Sequence, residues 1–547
     1  MSTTLERTVG AGDTTRTGSE QSYRRLRFGT GEPRLVRWAH EPPGGRRGDR
    51  NGERGRRSLL VLVQLTDLQL ADVASPGRFE FFEYLRGMPG VGAFVPAQRP
   101  QEALALHAVE AMARSIRAVG GSPDTGATLG LALCTGDNID NAQMNELTWF
   151  LRLLAGGRVE PATQEGRYEG VQASDWPNEV YWHPEGGRDR FRDRWGFPDY
   201  PGLLSEAAGA FEASGVGVPW LSCFGNHDGL AFGEVLATPE YRRIVAAAHK
   251  AVALPPAFDP LGREDELFVH PERFLAGPSR PVLAEAGRTI VSRRDFVAAH
   301  LGAGGLPVGH GYSEHNLRSG TAYAAYDGVD GVRVILLDST NLDGRSDGSF
   351  GRRQLGWLEE RLVEVHRRYL AAQGSPATTG NEDRLVILAS HHGLASLTND
   401  RDVADGPEED QPRATADEFR ALLHRFPNVV LWLNGHRHRN EVEHRSGPPS
   451  QGGGFWEVST AAMADWPSQA RLVELTCNDD GTLSILCTML DHAGAPDPRD
   501  DDGLGRLAAI HRELAANVPG RGLASAAHGR REDRNVELVM PAPFALR

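Results

Sequence analysis

Five short clusters hold residues able to bind a metal or move a proton: Asp67 and Gln69 in TDLQ, Gly136-Asp137-Asn138, Gly225-Asn226-His227-Asp228, His391-His392, and Gly435-His436-Arg437-His438. Together they offer carboxylate oxygens, amide oxygens and imidazole nitrogens, with no thiolate. That mixture suits borderline or harder divalent ions such as Mn, Fe or Zn better than a soft sulfur site. The set also holds more ligands than one ion takes. Two ions about 3.5–4 Å apart can share a carboxylate and stabilise both the attacking and the leaving oxygens of a phosphoryl displacement; Asp137 is the candidate bridge. Glycines stand directly before Asp137, Asn226 and His436, where the backbone must turn tightly for a ligand to face an ion. Taken singly, the clusters have plainer uses: Asp67 and Gln69 could cap a strand and turn, and Asp137 could form an Asx turn. The metal reading comes from all five together.

Each cluster follows the same kind of segment. LLVLVQL before Asp67, TLGLALCTG before Asp137, VPWLSCFG before Asn226, RLVILAS before His391 and NVVLWLNG before His436 are apolar runs of strand length that stop at Gly or polar residues. Helical periodicity separates several of them, in QEALALHAVEAMARSIRAV, RRQLGWLEERLVEVHRRYLAA and TADEFRALLHRFP. Strands alternating with helices predict an α/β architecture, in which ligands bind beyond the carboxyl ends of strands. All five clusters fall there. The runs TAYAAYDG, VRVILLDSTN, GGFWEVSTAA, ARLVELTCN and GTLSILCTML predict a second, partly antiparallel group of strands. A layered sheet-on-sheet core flanked by helices accommodates both groups.

Residues 1–57, rich in Gly, Arg, Thr and Glu and ending in GGRRGDRNGERGRR, predict a flexible N-terminal arm with RLVRWAH as a docking piece. Residues 58–490 form the main domain, with inserts at about 142–218 and 229–318, and residues 491–547 a C-terminal extension packing on it. Long inserts beside a site predict lids that shape its pocket. Trp149, Trp176, Tyr181, Trp182 and Trp195 read as lid core rather than a base-stacking platform. The net charge of -14 repels polyanions, so nucleic acid is excluded as a bulk partner, and a phosphate must be held by local charge or metal. No apolar stretch approaches the roughly 18 residues of a membrane span, so no membrane partner is expected. Arg56-Arg57 before SLLVLVQL imitates a twin-arginine signal but lies too deep in the chain, and a cytoplasmic location is expected. The 4 cysteines lack CxxC spacing and imply neither a disulfide framework nor a zinc knuckle.

The ordered set Asp-x-Gln, Gly-Asp, Gly-Asn-His-Asp, His, Gly-His-x-His over residues 67–438 resembles the calcineurin-like metallophosphoesterase superfamily. LLDSTNLDGRSDGSFGRRQLGWLEERL resembles the strand-then-helix segment before that family's single-His motif. The resemblance implies a two-sheet sandwich flanked by helices, with a dinuclear site at one edge. It implies Asp67, Gln69, Asp137 and His438 on a first ion and Asp137, Asn226, His391 and His436 on a second, with His391 taken over His392. His227 would give a hydrogen bond or proton to the phosphate or leaving oxygen, oriented by a carboxylate for which Asp228 is the candidate. A metal-bridging hydroxide would attack a phosphodiester, phosphomonoester or nucleotide diphosphate bond in a small phosphorylated or nucleotide-like substrate. Gln69 departs from the commonest pattern, which has His there. A carboxamide is a weaker oxygen donor that cannot titrate, and it favours Mn²⁺ over a tightly held Fe³⁺. Asp-x-Gln, with a further Asp in QLAD, is similar to the Mn-dependent ADP-ribose and CDP-alcohol diphosphatases. The alternative is a weakened protein of this fold kept as a binding or scaffold module, with Gln69 as its first loss. Asp72 and Asn138 could orient ligands, Arg437 could face a phosphate, and His107, His249, His270 and His315 read as surface or core residues.

Overall fold

The computed structural model describes residues 3–40, 55–91, 94, 97–176, 178–403, 410–447 and 454–546. All five apolar runs form strands: Arg56–Leu65, Leu131–Cys134, Trp220–Ser222, Leu385–Ala389 and Val429–Asn434. The first three lie side by side and parallel at one end of a seven-stranded sheet. Its full order is Leu35–Trp38, Val536–Pro541, Thr482–Asp491, Gln469–Asn478, Arg56–Leu65, Leu131–Cys134, Trp220–Ser222. The other two belong to a six-stranded sheet ordered Ala324–Val329, Val332–Leu336, Leu385–Ala389, Val429–Asn434, Gly454–Ser459, Glu441–Ser446, with its middle four strands parallel.

Alternation of side chains along each strand sets the layers. Val334, Leu336, Ile387 and Leu433 share a buried cluster with Leu62, Leu133 and Leu472 of the other sheet. Ile335, Leu337, Val386, Leu388 and Trp432 point the opposite way, onto helices Arg352–Val363 and Ala416–Leu423. The two sheets therefore face one another, with helices outside. On the seven-stranded side, helix Ala105–Val119 buries Val109, Met112 and Ile116 and packs along helix Gly503–Asn517.

Three expectations need correction. The second group of strands makes no sheet of its own: Val332–Leu336 and Gly454–Ser459 join the parallel ligand-bearing strands, and the hairpin 469–491 extends Arg56–Leu65 in antiparallel register. An apolar run specifies a strand but not its neighbour. The helix predicted over RRQLGWLEERLVEVHRRYLAA ends at Val363, and Arg368–Leu370 is a short strand whose Tyr369 stacks on Phe426 at 5.2 Å.

The third correction concerns the N-terminal arm, most of whose GGRRGDRNGERGRR stretch lies outside the described residues. Arg7–Thr17 and Ser22–Thr30 form an antiparallel hairpin, and Leu35–Trp38 pairs in parallel with Val536–Pro541. Val9, Tyr23 and Leu26 are its buried anchors. The hydroxyls of Tyr23 and Tyr200 donate to Glu513 at 2.9 and 2.7 Å, and Arg25 lies 3.2 Å from the same carboxylate. So few apolar anchors in a polar stretch give a disordered composition; their partners lie at the far end of the chain. The C-terminal extension likewise supplies a strand to the sheet rather than only packing on it. Replacing Glu513 with Leu strands two hydroxyls and a partly exposed guanidinium. Unfolding should then require about 3 kcal/mol less by urea denaturation, with faster proteolysis of the hairpin; unchanged values for both would contradict the tether.

Candidate metal centre

Six loops following parallel strands of both sheets meet at one place. Asp67 and Gln69 follow Arg56–Leu65, Asp137 follows Leu131–Cys134, and Asn226 opens the short turn after Trp220–Ser222. His391 follows Leu385–Ala389, His436 and His438 follow Val429–Asn434, and Asp465 follows Gly454–Ser459. The loops are held under strain. Asp67, Gln69, Asp137, His436 and His438 have φ of 50°, 43°, 51°, 67° and 50°, in the left-handed region. Each such residue costs on the order of 1–3 kcal/mol and persists only where its surroundings over-determine it. Backbone bonds between loops do so for the first three: Asp67 N–H donates to Gly136 O at 3.1 Å, Gln69 N–H to Asp137 O at 2.9 Å, and Ala464 N–H to Asp67 O at 3.1 Å, while His436 N–H donates to Asp67 Oδ2 at 3.0 Å. Two of the glycines serve close approach. A Cβ on Gly225 would strike the backbone nitrogen and Oδ1 of Asp137, and one on Gly435 would strike Thr66 Oγ1 and Asp67 Oδ2.

Asp67, Asp137 and His391 present ligand atoms all within 4.8 Å of one another and are buried, as is Asn226. Asp67 Oδ1, Asn226 Oδ1 and His391 Nε2 are buried with no hydrogen-bond partner among the described residues. Leaving a buried polar atom unsatisfied costs about 1–3 kcal/mol, more for a charged one. Neighbours are close but misaligned: His438 Nε2 is 3.1 Å from Asp67 Oδ1, and His391 Nε2 is 3.0 Å from Asp137 Oδ2. The opposite ring nitrogens are fixed. His391 Nδ1 sits 2.9 Å from Thr135 O, and His438 Nδ1 sits 2.7 Å from Asp465 Oδ2, leaving each Nε2 lone pair for the centre. A metal-ligating histidine is oriented in this way. These orphaned donors fit a divalent cation. The residues His391, His392 and His436 form a second close group. In it, His392 has both ring nitrogens engaged, Nδ1 at 2.8 Å from Ser339 Oγ and Nε2 at 2.8 Å from Ser346 O.

Two of the predicted roles do not match the geometry. Gln69 turns its carbonyl away: Oε1 accepts from Arg99 Nη2 at 2.6 Å, while Nε2 faces Asp137 Oδ2 at 3.5 Å. Turning the amide over would set its NH₂ against the guanidinium. Asp228 does not orient His227. Its carboxylate accepts from Asn138 N and Nδ2 at 3.0 Å each, Ile139 N at 3.2 Å and Gly225 N at 2.8 Å, tying the Asp137 loop to the Asn226 turn. Adjacent residues on a helical turn face different ways. The carboxylate beside His227 is Asp140, with Nδ1 3.2 Å from its Oδ1 and 3.0 Å from its carbonyl oxygen. Arg78 donates to Asp140 at 2.8 Å and to Glu80 at 2.7 Å, and Lys250, the only lysine in the chain, pairs with Glu80 at 2.7 Å. Asp140 was legible as the second acid of the Asp137 motif, and Asp465 as the first acid after the GGFWEVSTAA strand. Arg99 carried no signal.

Electrostatics follow from the same contacts. Burial opposes the charge on Asp137, but the His391 and His227 imidazoles outweigh it and hold its carboxyl below the usual carboxylate range. Burial likewise opposes the charge on His391, yet Asp137 pushes it up to about 9.

A cleft of about 450 Å³ opens over the centre, lined by Gln69, Asp137, Asn226, His227, Ser346, the turn 436–439, Arg99, Asp465 and residues of 520–527. Among the described lining residues none belongs to 142–218 or 229–318, so the wall expected from the inserts comes from the C-terminal extension instead. Insert 229–318 acts from behind, where Gly233 O accepts from Asn226 Nδ2 at 2.9 Å.

Comparison with known proteins adds little. No family model matches the chain, and no curated protein matches it. Among solved structures it is similar to the sulfate thiohydrolase SoxB of Thermus thermophilus in complex with glycerol, at 13% identity and a TM-score of 0.27. The match covers 85% of this chain and spans 62% of that one.

Two outcomes follow. Asp465→Asn, which loosens His438, should lower divalent-ion affinity by about 10–100-fold, whereas Gln69→Ala should change it less than about threefold; the reverse order in a chelator competition would contradict the geometry. Because an ion must displace the proton that His391 holds below pH about 9, affinity should rise roughly tenfold per pH unit from about pH 6 to 8 for each proton released. An affinity independent of pH would refute that linkage.

Proposed function

We propose that the chain is a dinuclear metal-dependent hydrolase that cleaves a phosphodiester, phosphomonoester or nucleotide diphosphate bond in a small substrate, with Mn, Fe or Zn the ions its oxygen and imidazole donors suit. The observation that carries this reading is the close grouping of Asp67, Asp137 and His391 ligand atoms within 4.8 Å, with Asp67 Oδ1 and His391 Nε2 buried and unpartnered, next to a cleft lined by Asp137, Asn226 and His227. Asp67, Asp137 and His438 would hold one ion, with Gln69 serving Arg99. Asp137, Asn226, His391 and His436 would hold the other. Two divalent ions, when bound, supply charge neutralisation for phosphate oxygens and lower the pKa of water.

His227 does the proton work. Its Nδ1 is engaged by Asp140, which leaves Nε2 as the free donor, 3.9 Å from Asp137 Oδ2. Burial disfavours the imidazolium, while the carboxylates of Asp137 and Asp140 favour it and, with no ion bound, push His227 up to about 9. A proton held there can pass to a leaving alkoxide or phosphate oxygen, a contribution of typically about 10²–10⁴-fold. The buried Arg78 pairs hold Asp140, and through it the imidazole, in one orientation.

Hydrolysis of bis-p-nitrophenyl phosphate should depend on Mn²⁺ and be abolished by EDTA. His227→Ala should lower turnover at least about 100-fold while metal content stays at the wild-type level. Equal turnover in the variant would remove His227 from its role, and no metal-dependent turnover of any phosphoester would leave the binding-module alternative.

A further inference from the structure

The two inserts, absent from the described lining of the metal cleft, enclose a cavity of their own, of about 340 Å³. That volume suits a small molecule. Helix Met144–Ala155 and segments 160–163 and 167–169 come from the first insert, Glu285 and Arg288 from the second, and residues 71–74 from the chain just beyond Gln69. Leu106, Met144 and Trp149 give the cavity an apolar wall.

Its polar lining is unbalanced. Five carboxylates face three guanidinium groups, and the guanidinium groups are already engaged. Arg288 lies 2.6 Å from Asp72, Arg167 lies 3.2 Å from Glu169, and Arg152 donates to Arg158 O at 2.8 Å. The neutral donors are used as well, Asn145 Nδ2 on Asp72 at 2.8 Å and the Tyr168 hydroxyl on Gln172 at 3.3 Å. The acceptors are not. Glu102, 6% exposed, holds Arg78 at 2.8 Å through Oε2, but its Oε1 is buried with no partner among the described residues, and so is Asn145 Oδ1. Burial pushes the Glu102 carboxyl up to about 7 despite that arginine. Of the remaining acids, Glu160 pairs with Arg158 at 3.1 Å. Glu285 accepts from Gly287 N–H at 2.8 Å and has no cation within ion-pair distance among the described residues.

We propose that this cavity is a binding site for a small aliphatic diamine, with its ammonium groups taken by Glu102 and Glu285 and its methylene stem by the apolar wall. An ammonium group brings donors and no acceptor, which is what two unfilled carboxylates and an orphaned amide oxygen lack. A buried charge is stable only when it is paired and hydrogen-bonded. An anion finds no free guanidinium here. A bare metal ion fits less well than an amine, because Leu106 and Trp149 offer it no oxygen ligand, whereas they pack against a hydrocarbon stem, and an indole face attracts an organic cation. The site uses none of the metal ligands and does not depend on the hydrolase reading.

The test is calorimetric titration of the full-length protein, saturated with Mn²⁺, with diaminopropane, putrescine and cadaverine, which differ in the spacing of their charges, and with butanediol as the uncharged counterpart. At least one diamine should bind saturably and about tenfold or more tightly than the diol, as one charge-assisted contact provides. Glu102→Gln and Glu285→Gln should each weaken that diamine by about tenfold. Because Glu102 also holds Arg78, the partly exposed Glu285 decides the matter if Glu102→Gln does not fold. No saturable binding of any of the three, binding no tighter than the diol, or full affinity retained in Glu285→Gln would overturn the proposal. A diamine that binds only after EDTA treatment sits among the metal ligands, and that result would overturn it too.

Discussion

The structure is organised around two buried carboxylates, Asp67 and Asp137, whose oxygens lie within 4.8 Å of each other. Two such charges repel by roughly 3–4 kcal/mol at the effective dielectric of a protein site, and neither can be relaxed by water. Something cationic must stand between them. Protonated imidazoles do this in part, but Asp67 Oδ1 and His391 Nε2, 3.9 Å apart, are left without hydrogen bonds. A divalent cation would satisfy both.

Everything that surrounds the pair keeps it in place. Parallel strands from both sheets deliver the carboxylates and imidazoles to one edge, and backbone bonds between their loops hold Asp67, Gln69 and Asp137 in left-handed conformations. Thr135 O and Asp465 aim the imidazoles of His391 and His438, while Asp140, anchored by Arg78, aims His227. The last 30 or so residues of the chain belong to this arrangement as well, since Arg521 and its neighbours form one wall of the cleft while Val536–Pro541 is a strand of the sheet.

The strand ends were legible because each couples an unbroken apolar run to an abrupt polar stop, a local signal that survives any topology. That signal named Asp67, Asp137, Asn226, His391, His436 and His438 together. What escaped depends on contacts between residues distant in sequence. The tie from Asp465 to His438, the hold of Arg99 on Gln69, the docking of Tyr23 on Glu513 and the clamp of segment 520–528 on Asn440 all join separate elements. Asp228 was misread for the opposite reason: it neighbours His227 in sequence, but one step around a helical turn sends it to the backbone amides of Ile139 and Gly225. Gln69 was read as a ligand from its place in the family's motif, and its orientation is decided by a guanidinium that sequence could not place.

The central claim is that Asp137 lies between two metal positions. Electron paramagnetic resonance of the purified protein during Mn²⁺ titration tests it directly. The account predicts that two equivalents bind and that the isolated six-line Mn²⁺ spectrum gives way to that of a spin-coupled pair as the second equivalent enters. Saturation at one equivalent, or two equivalents that keep uncoupled spectra, would contradict it.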